Sequence, residues 1–202
     1  MQVFDCVLFD TEFTAWQGSK QRNWSLDWEH RELIQIAAIH LRITANQAEI
    51  VSSFNELIKP SINVRLSDYI SDLTGIEQQL VDDMGVDFES ALHQFHQFCS
   101  QGQLAALSWG NDAKVLLENC QLYGLEMPVF ANGFHNLQRF AQQMQLTGCD
   151  LASGELASAN GIALTGHLHN ALFDVRSLGL TLSHWLKEGH INLAQLLSIC
   201  KK

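Results

Sequence analysis

Proline is nearly missing from this chain: among 202 residues there are only Pro60 and Pro128. No Pro-rich or low-complexity stretch and no internal repeat interrupts it, which excludes linker-joined modules and repeat arrays. One α/β domain over residues 1–202 is expected, with its core from about 3 to 186 and a C-terminal helix over about 191–200. No apolar run approaches the ~20 residues that cross a bilayer. Met1-Gln2-Val3-Phe4-Asp5 lacks the basic start and apolar core of a signal sequence. The expectation is a cytoplasmic protein with no membrane partner. The five cysteines (Cys6, Cys99, Cys120, Cys149 and Cys200) are odd in number, scattered and without a Cys-x-x-Cys. Reduced thiols fit this better than a disulfide framework.

Cations are scarce as well. Lys and Arg number 12 against 22 Asp and Glu, a net charge of −10, and no Lys or Arg occurs from Leu66 through Ala113. Proteins that wrap long nucleic acids are usually basic, because neutralised phosphates drive binding. A long footprint is therefore not expected. Lys20, Arg22, Arg31 and Arg42 cluster near the N-terminus, so a polyanion would be held at a small site, by one end.

What the chain does have is an apolar run that ends in two carboxylates, Val7-Leu8-Phe9 followed by Asp10-Thr11-Glu12. The run reads as the middle of a covered strand, and the spacing of two sends Asp10 and Glu12 out on one face. Like charges held side by side resist ionisation unless a cation lies between them, and a divalent metal is the usual one. The Asp-x-Glu pattern alone is weak, since about 0.6 matches are expected by chance. Asp27 and Glu29 fall in a polar, Trp-rich stretch, and Asp87 and Glu89 open a helical pattern, where acids suit the helix dipole. Only Asp10 and Glu12 close a core strand.

The remaining pattern alternates. Val3 to Asp10 reads as the first strand, and Gln17 to His30 as a polar connection carrying Trp24 and Trp28. Leu33–Ile39 and Glu49–Ile58 form a hairpin turning at Asn46-Gln47. Short helices are predicted at Leu66–Ser71 and Ile76–Val81. The spacing of Phe88, Leu92, Phe95 and Cys99 predicts an amphipathic helix. A strand at Leu104–Trp109, a helix from Asp112 to Tyr123 and a fifth strand at Pro128-Val129-Phe130 follow. Helices fit His135–Met144, Leu151–Asn160, Asn170–Lys187 and Ala194–Cys200. The order argues a mixed sheet covered by helices on both faces.

Asp112 follows a strand at the start of a helix. Local grounds favour an N-cap there, although that strand end also points at the sheet edge of Asp10. His169 and Asp174 stand in His169-Asn170-Ala171-Leu172-Phe173-Asp174. That His-x-Ala-x-x-Asp pattern is expected only ~0.04 times by chance. The apolar neighbours of Asp174 favour a buried ligand over a residue on a solvated helix face. His93 and His96 flank an apolar stripe without cysteine partners and read as a solvated flank, and Trp109 reads as core.

Asp10-Thr11-Glu12-Phe13, Asp112 after a strand, and His169 with Asp174 resemble, in order and spacing, the DEDDh (DnaQ-like) 3′–5′ exonucleases. Glu32-Leu33-Ile34-Gln35-Ile36-Ala37-Ala38 looks like that family's second strand, and Leu73-Thr74-Gly75-Ile76 like its connecting segment. Ser108-Trp109-Gly110-Asn111-Asp112 is similar to the RNA-trimming, histone-mRNA exonuclease branch. The resemblance implies a ribonuclease H-like fold with a five-stranded mixed sheet. It also implies release of nucleoside monophosphates from the 3′ ends of single-stranded RNA or DNA. Two Mg²⁺ ions, replaceable by Mn²⁺, would be held by Asp10, Glu12, Asp112 and Asp174. His169 would be the general base, with His167 a loop residue. Thr11, Phe13, Trp16 and Asn111 are the candidate substrate contacts, with Phe13 at a family position that packs on terminal bases. Lys20 and Arg22 are candidates for phosphate, and Trp24 and Trp28 read as packing. The alternatives are a catalytically silent nucleic-acid-binding module on the same fold, or a phosphodiesterase for short oligonucleotides.

Overall fold

Every side chain from Cys6 to Phe9 and from Leu33 to Ile39 is buried, as expected of strands covered on both faces. The computed structural model, which describes residues 2–200, places these two runs at the centre of a five-stranded sheet of order β3-β2-β1-β4-β5. The strands are β1 (Phe4–Phe13), β2 (Leu33–Ile43), β3 (Ala48–Leu57), β4 (Ala105–Ser108) and β5 (Phe134–Asn136). The first three form an antiparallel meander, while β4 and β5 join parallel to β1. The edge strand β3 is largely exposed and carries Glu49, Ser52, Ser53, Asn55 and Glu56, polar groups that discourage pairing with another chain.

Helices cover both faces. Helices α1 (Asp68–Thr74), α2 (Gln78–Met84), α3 (Phe88–Phe98) and α4 (Asp112–Leu122) come first. Then follow α5 (Leu137–Gln143), α6 (Leu156–Ala159), α7 (Ala171–Lys187) and α8 (Leu193–Ile199). On one face Val7 and Phe9 pack with Phe88, Phe95, Val115 and Leu116 of α3 and α4. On the other, Cys6, Leu8, Ile39 and Leu41 meet Val175, Leu178, Leu182 and Trp185 of α7. Strand alternation therefore sends even-numbered β1 residues toward α7 and odd-numbered ones toward α4. Among the described residues no helix is long and apolar enough to cross a membrane.

Several boundaries differ from the sequence reading. Strand β1 runs to Phe13 rather than stopping at Asp10, because β2 continues beside it, pairing Asp10 with Ala37 and Glu12 with Gln35. The fifth strand is not Pro128-Val129-Phe130, where Val129 is 78% exposed. It is Phe134–Asn136, pairing Ala106 with Phe134 and Ser108 with Asn136. Phe130 packs instead on Phe134, ring centroids 4.4 Å apart. The helix expected over Leu151–Asn160 is a 3₁₀ turn at Ser153–Glu155 followed by one turn of α6. Helices α1 and α2 begin two residues later than expected, α1 after the Ser67 cap.

Helix α7 approaches the sheet closely at Gly179, where an added Cβ would lie 2.5 Å from Cδ1 of the fully buried Ile39. Overpacking of this kind costs about 1–3 kcal/mol. Gly179→Val should therefore lower the unfolding free energy by about that amount in urea titration. An unchanged midpoint would show that the α7–β2 contact yields freely.

Candidate active site

The last four residues of β1 carry the acidic pair. Asp10 and Glu12 share the parity of Cys6 and Leu8, so both face α7. Asp174 lies in the first turn of that helix and is buried at 3% exposure. Asp10, Glu12 and Asp174 each offer a carboxylate oxygen within 4.8 Å of the other two. The helix start is held from β2: the Ala171 amide donates to Oε1 of the buried Gln35 at 3.0 Å. The cap residue Asn170 makes no side-chain capping bond. Asp112 is the first helical residue of α4, with Asn111 in the cap position. Thr11, on the opposite face of β1, ties it down, its amide and hydroxyl donating to Asp112 Oδ1 at 3.2 and 2.8 Å. Asp112 thus stands beside the trio rather than within it.

Crowding raises the affinity of these groups for protons. Burial, then the charges of Asp112, Glu12 and Asp174, push Asp10 well above the usual carboxylate range. Burial followed by Asp174 and Asp112 does the same to Glu12. Burial raises Asp112 against the hydrogen bonds from Thr11. Asp174 is pushed up to about 6, mainly by burial, with the Ser153 hydroxyl pulling the other way. The Ser153 Oγ lies 3.1 Å from Asp174 Oδ2 and 3.4 Å from Asp10 Oδ1, so its single proton can relieve only one carboxylate at a time. Asp174 Oδ1 is buried with no hydrogen-bond partner among the described residues. The backbone at Gly154 comes so close that a Cβ there would clash with that oxygen. A buried carboxylate with one unpartnered oxygen, set beside two other acids, fits a hard divalent cation, whose charge would offset all three.

These groups open onto a cleft of about 520 Å³, whose lining includes Asp10, Thr11, Glu12, Phe13, Ser153, His169 and Asp174. His169 is half-buried in a left-handed backbone conformation, φ 60°, uncommon for a residue with a side chain. Burial lowers its pKa from the usual imidazole range; Glu155 opposes the shift, and Lys20 and His167 add to it. The shift favours the neutral ring, the form that can accept a proton. His167 is exposed outside the cleft, its Nδ1 2.7 Å from the Leu168 carbonyl.

The substrate candidates part company here. Phe13 lines the cleft. Thr11 does too, but its hydroxyl is engaged by Asp112. Trp16 is not among the lining residues; it packs edge-on against Trp28, centroids 4.7 Å apart. Asn111 is exposed and also lies off the cleft. Arg22 is engaged by the buried Glu29. Trp24, read from sequence as packing, lines the cleft together with Lys20, Arg31 and Tyr69. Trp109 is core, as expected, and also reaches the cleft wall. No spacing in the sequence marks Ser153 or Gln35 as a site residue, since each acts by holding another.

Residues 7–179 match the model of the RNase_T exonuclease family. The chain is 23% identical over 211 residues to the 3′-5′ exonuclease Snipper of Drosophila melanogaster, covering 94% of this chain and 72% of that protein. It is 27% identical over 212 residues to human ERI1 exoribonuclease 2, covering 93% of this chain but only 29% of the relative. Among solved structures it is similar to the nuclease domain of 3′hExo, a DEDDh family member bound to rAMP. That match has a TM-score of 0.75 and 23% identity, with 92% of each chain covered. The fold is thus the ribonuclease H-like one of these nucleases. Matched over most of its length by that family model, the chain belongs to the RNase_T exonuclease family.

Proposed function

We propose that this protein removes nucleoside monophosphates one at a time from the 3′ ends of single-stranded RNA or DNA. The observation that carries the reading is the convergence of Asp10, Glu12 and Asp174, oxygens within 4.8 Å, in the cleft that also presents His169. With Asp112 beside them, these carboxylates would hold Mg²⁺ or Mn²⁺, a pair of which would polarise the attacking water and stabilise the departing 3′ oxygen. His169 takes the proton of that water, for which its neutral ring is suited. Thr11 keeps Asp112 oriented, Ser153 spaces Asp10 from Asp174, and Gln35 fixes the start of α7. Phe13 offers an aromatic face beside Glu12 for the terminal base, a contact that contributes ~1–3 kcal/mol in other single-strand binders. Scarce cations elsewhere favour holding the end of a strand over its length.

A 5′-labelled single strand should shorten by one nucleotide at a time with Mg²⁺ or Mn²⁺, and the ladder should vanish in EDTA. Efficient cutting of a circular strand, or undiminished hydrolysis in chelator, would overturn the assignment.

Asp174→Asn should nearly abolish turnover while leaving the fold intact by circular dichroism. His169→Ala should slow turnover by about 10²–10⁴-fold, the usual contribution of a general base, with metal affinity retained by calorimetry. A crippled His167→Ala beside a mild His169→Ala would reassign the base.

A carboxylate raised in the folded state stabilises the fold below its unfolded pKa and withdraws that stability as pH rises through its folded value. For Asp174 the window runs from about pH 4 through about 6. In metal-free protein the melting-temperature advantage of Asp174→Asn over wild type should grow across that window and level off above it. Added Mn²⁺ at neutral pH should stabilise the wild type more than the variant. A pH-independent difference would show that Asp174 is not seated against its charge.

A further inference from the structure

Among the lysines and arginines of the described residues, only Lys20 and Arg31 line the carboxylate cleft. Both come from the connection between β1 and β2. Two other cations of the N-terminal segment are engaged elsewhere: Arg22 donates to Glu29 and to the Gln17 carbonyl, and Arg42 pairs with Asp5 at 3.2 Å. Lys20 is exposed and makes no ion pair among the described residues. Its charge lies close enough to His169 to contribute to the lowered pKa there.

Arg31 is held in place. Its guanidinium carbon lies 5.3 Å from the centre of a Trp24 ring and 5.8 Å from that of Phe13, and Nη2 donates to Glu118 of α4. Its remaining guanidinium N–H groups find no acceptor among the described residues. Trp24 is fixed in turn, Nε1 donating to the Thr14 carbonyl at 3.1 Å and the amide to the Ser19 carbonyl at 2.9 Å. The connection is knotted around buried Glu29, which accepts from Ser19 Oγ at 2.7 Å and Arg22 Nε at 2.9 Å. An aromatic-backed, partly unpaired guanidinium and a free ammonium therefore stand ready beside a cluster of acids, an arrangement suited to an anion.

We propose that Lys20 and Arg31 hold the phosphodiester one step upstream of the scissile one, with Trp24 as the positioning residue for Arg31. This rests on the exonuclease reading and goes beyond it by setting the substrate's minimum size. The scissile phosphate belongs at the carboxylates, which leaves the two cations for the next phosphate along the strand. The preferred substrate then carries two internucleotide phosphates, a trinucleotide or longer.

The test compares a trinucleotide with a dinucleotide lacking a 5′ phosphate, both with Mn²⁺, in the full chain. Wild-type kcat/KM should favour the trinucleotide about tenfold, the effect of a charge-assisted contact. Replacing the upstream phosphate with an uncharged methylphosphonate should erase that preference without any mutation. Lys20→Ala, at an exposed position, and Arg31→Ala should shrink it too. Trp24→Ala should do the same through Arg31, with Trp24→Phe restoring the preference. Lys187→Ala, the same charge change outside the cleft, should leave the ratio alone. A wild-type ratio near one, with the dinucleotide still cut, would overturn the subsite and leave the exonuclease reading standing. Equal losses on both substrates in the Lys20 and Arg31 variants would place these cations on the scissile group and also overturn it. Hydrolysis of neither substrate by the wild type would bring down both readings.

Discussion

Carboxylates repel, and three of them here offer oxygens within 4.8 Å of one another; the packing of α7 has to hold them there. Val175, Leu178, Leu182 and Trp185 are at most 1% exposed against the α7 face of the sheet, and each fully buried side chain of this kind contributes about 1.5–3 kcal/mol. That apolar stripe sets the position of Asp174 one turn from the helix start, and Gly179 and Gly154 let the backbone approach closely enough. Strand β1 brings the other two acids by being anchored on both sides, to β2 and to β4. The site is thus the place where rigid elements converge, and the charge conflict is confined to their ends.

The distribution of charge follows the same logic. A net −10 is unfavourable for holding polyphosphate, and the protein answers locally rather than globally. Arg22 and Arg42 are engaged by Glu29 and Asp5. Lys20 and Arg31 are left facing the cleft, where neutralisation has most effect because the acids concentrate there. Two cations in one cleft suit the proposed grip on one or two phosphates near a strand end better than a wrapped duplex.

How much could be read from the sequence depended on the length of each signal. Covered strands such as Val7–Phe9 and Leu33–Ile39, and amphipathic helices such as that of Phe88, Leu92 and Phe95, are long and periodic. The three-residue strand Phe134–Asn136 is half-buried and shorter than any periodicity, and Pro128-Val129-Phe130 carries more β-forming residues without pairing. The expected helix over Leu151–Asn160 is broken near Gly154, the residue whose missing side chain makes room for Asp174. Among the aromatics, composition cannot tell Trp16, packed on Trp28, from Trp24, which reaches the cleft.

The sequence by itself marked the candidate acids and histidine, because residue type and spacing are local properties: Asp10 and Glu12 on one face of a strand, and His169 five residues before Asp174. It also carried the alternation that makes the sheet and its two helical layers. Only the tertiary structure decided that Asp112 is tied to Thr11 and stands beside the trio, that Ser153 bridges Asp10 and Asp174, and that Gln35 supports the start of α7. It likewise decided how each cation is engaged, since Arg22 and Arg31 are alike in sequence: Arg22 is enclosed by Glu29, Ser19 and the Gln17 carbonyl, while Arg31 keeps one partner, Glu118, and lines the cleft. Pairings over such separations leave no mark in local periodicity; they exist once the core has closed.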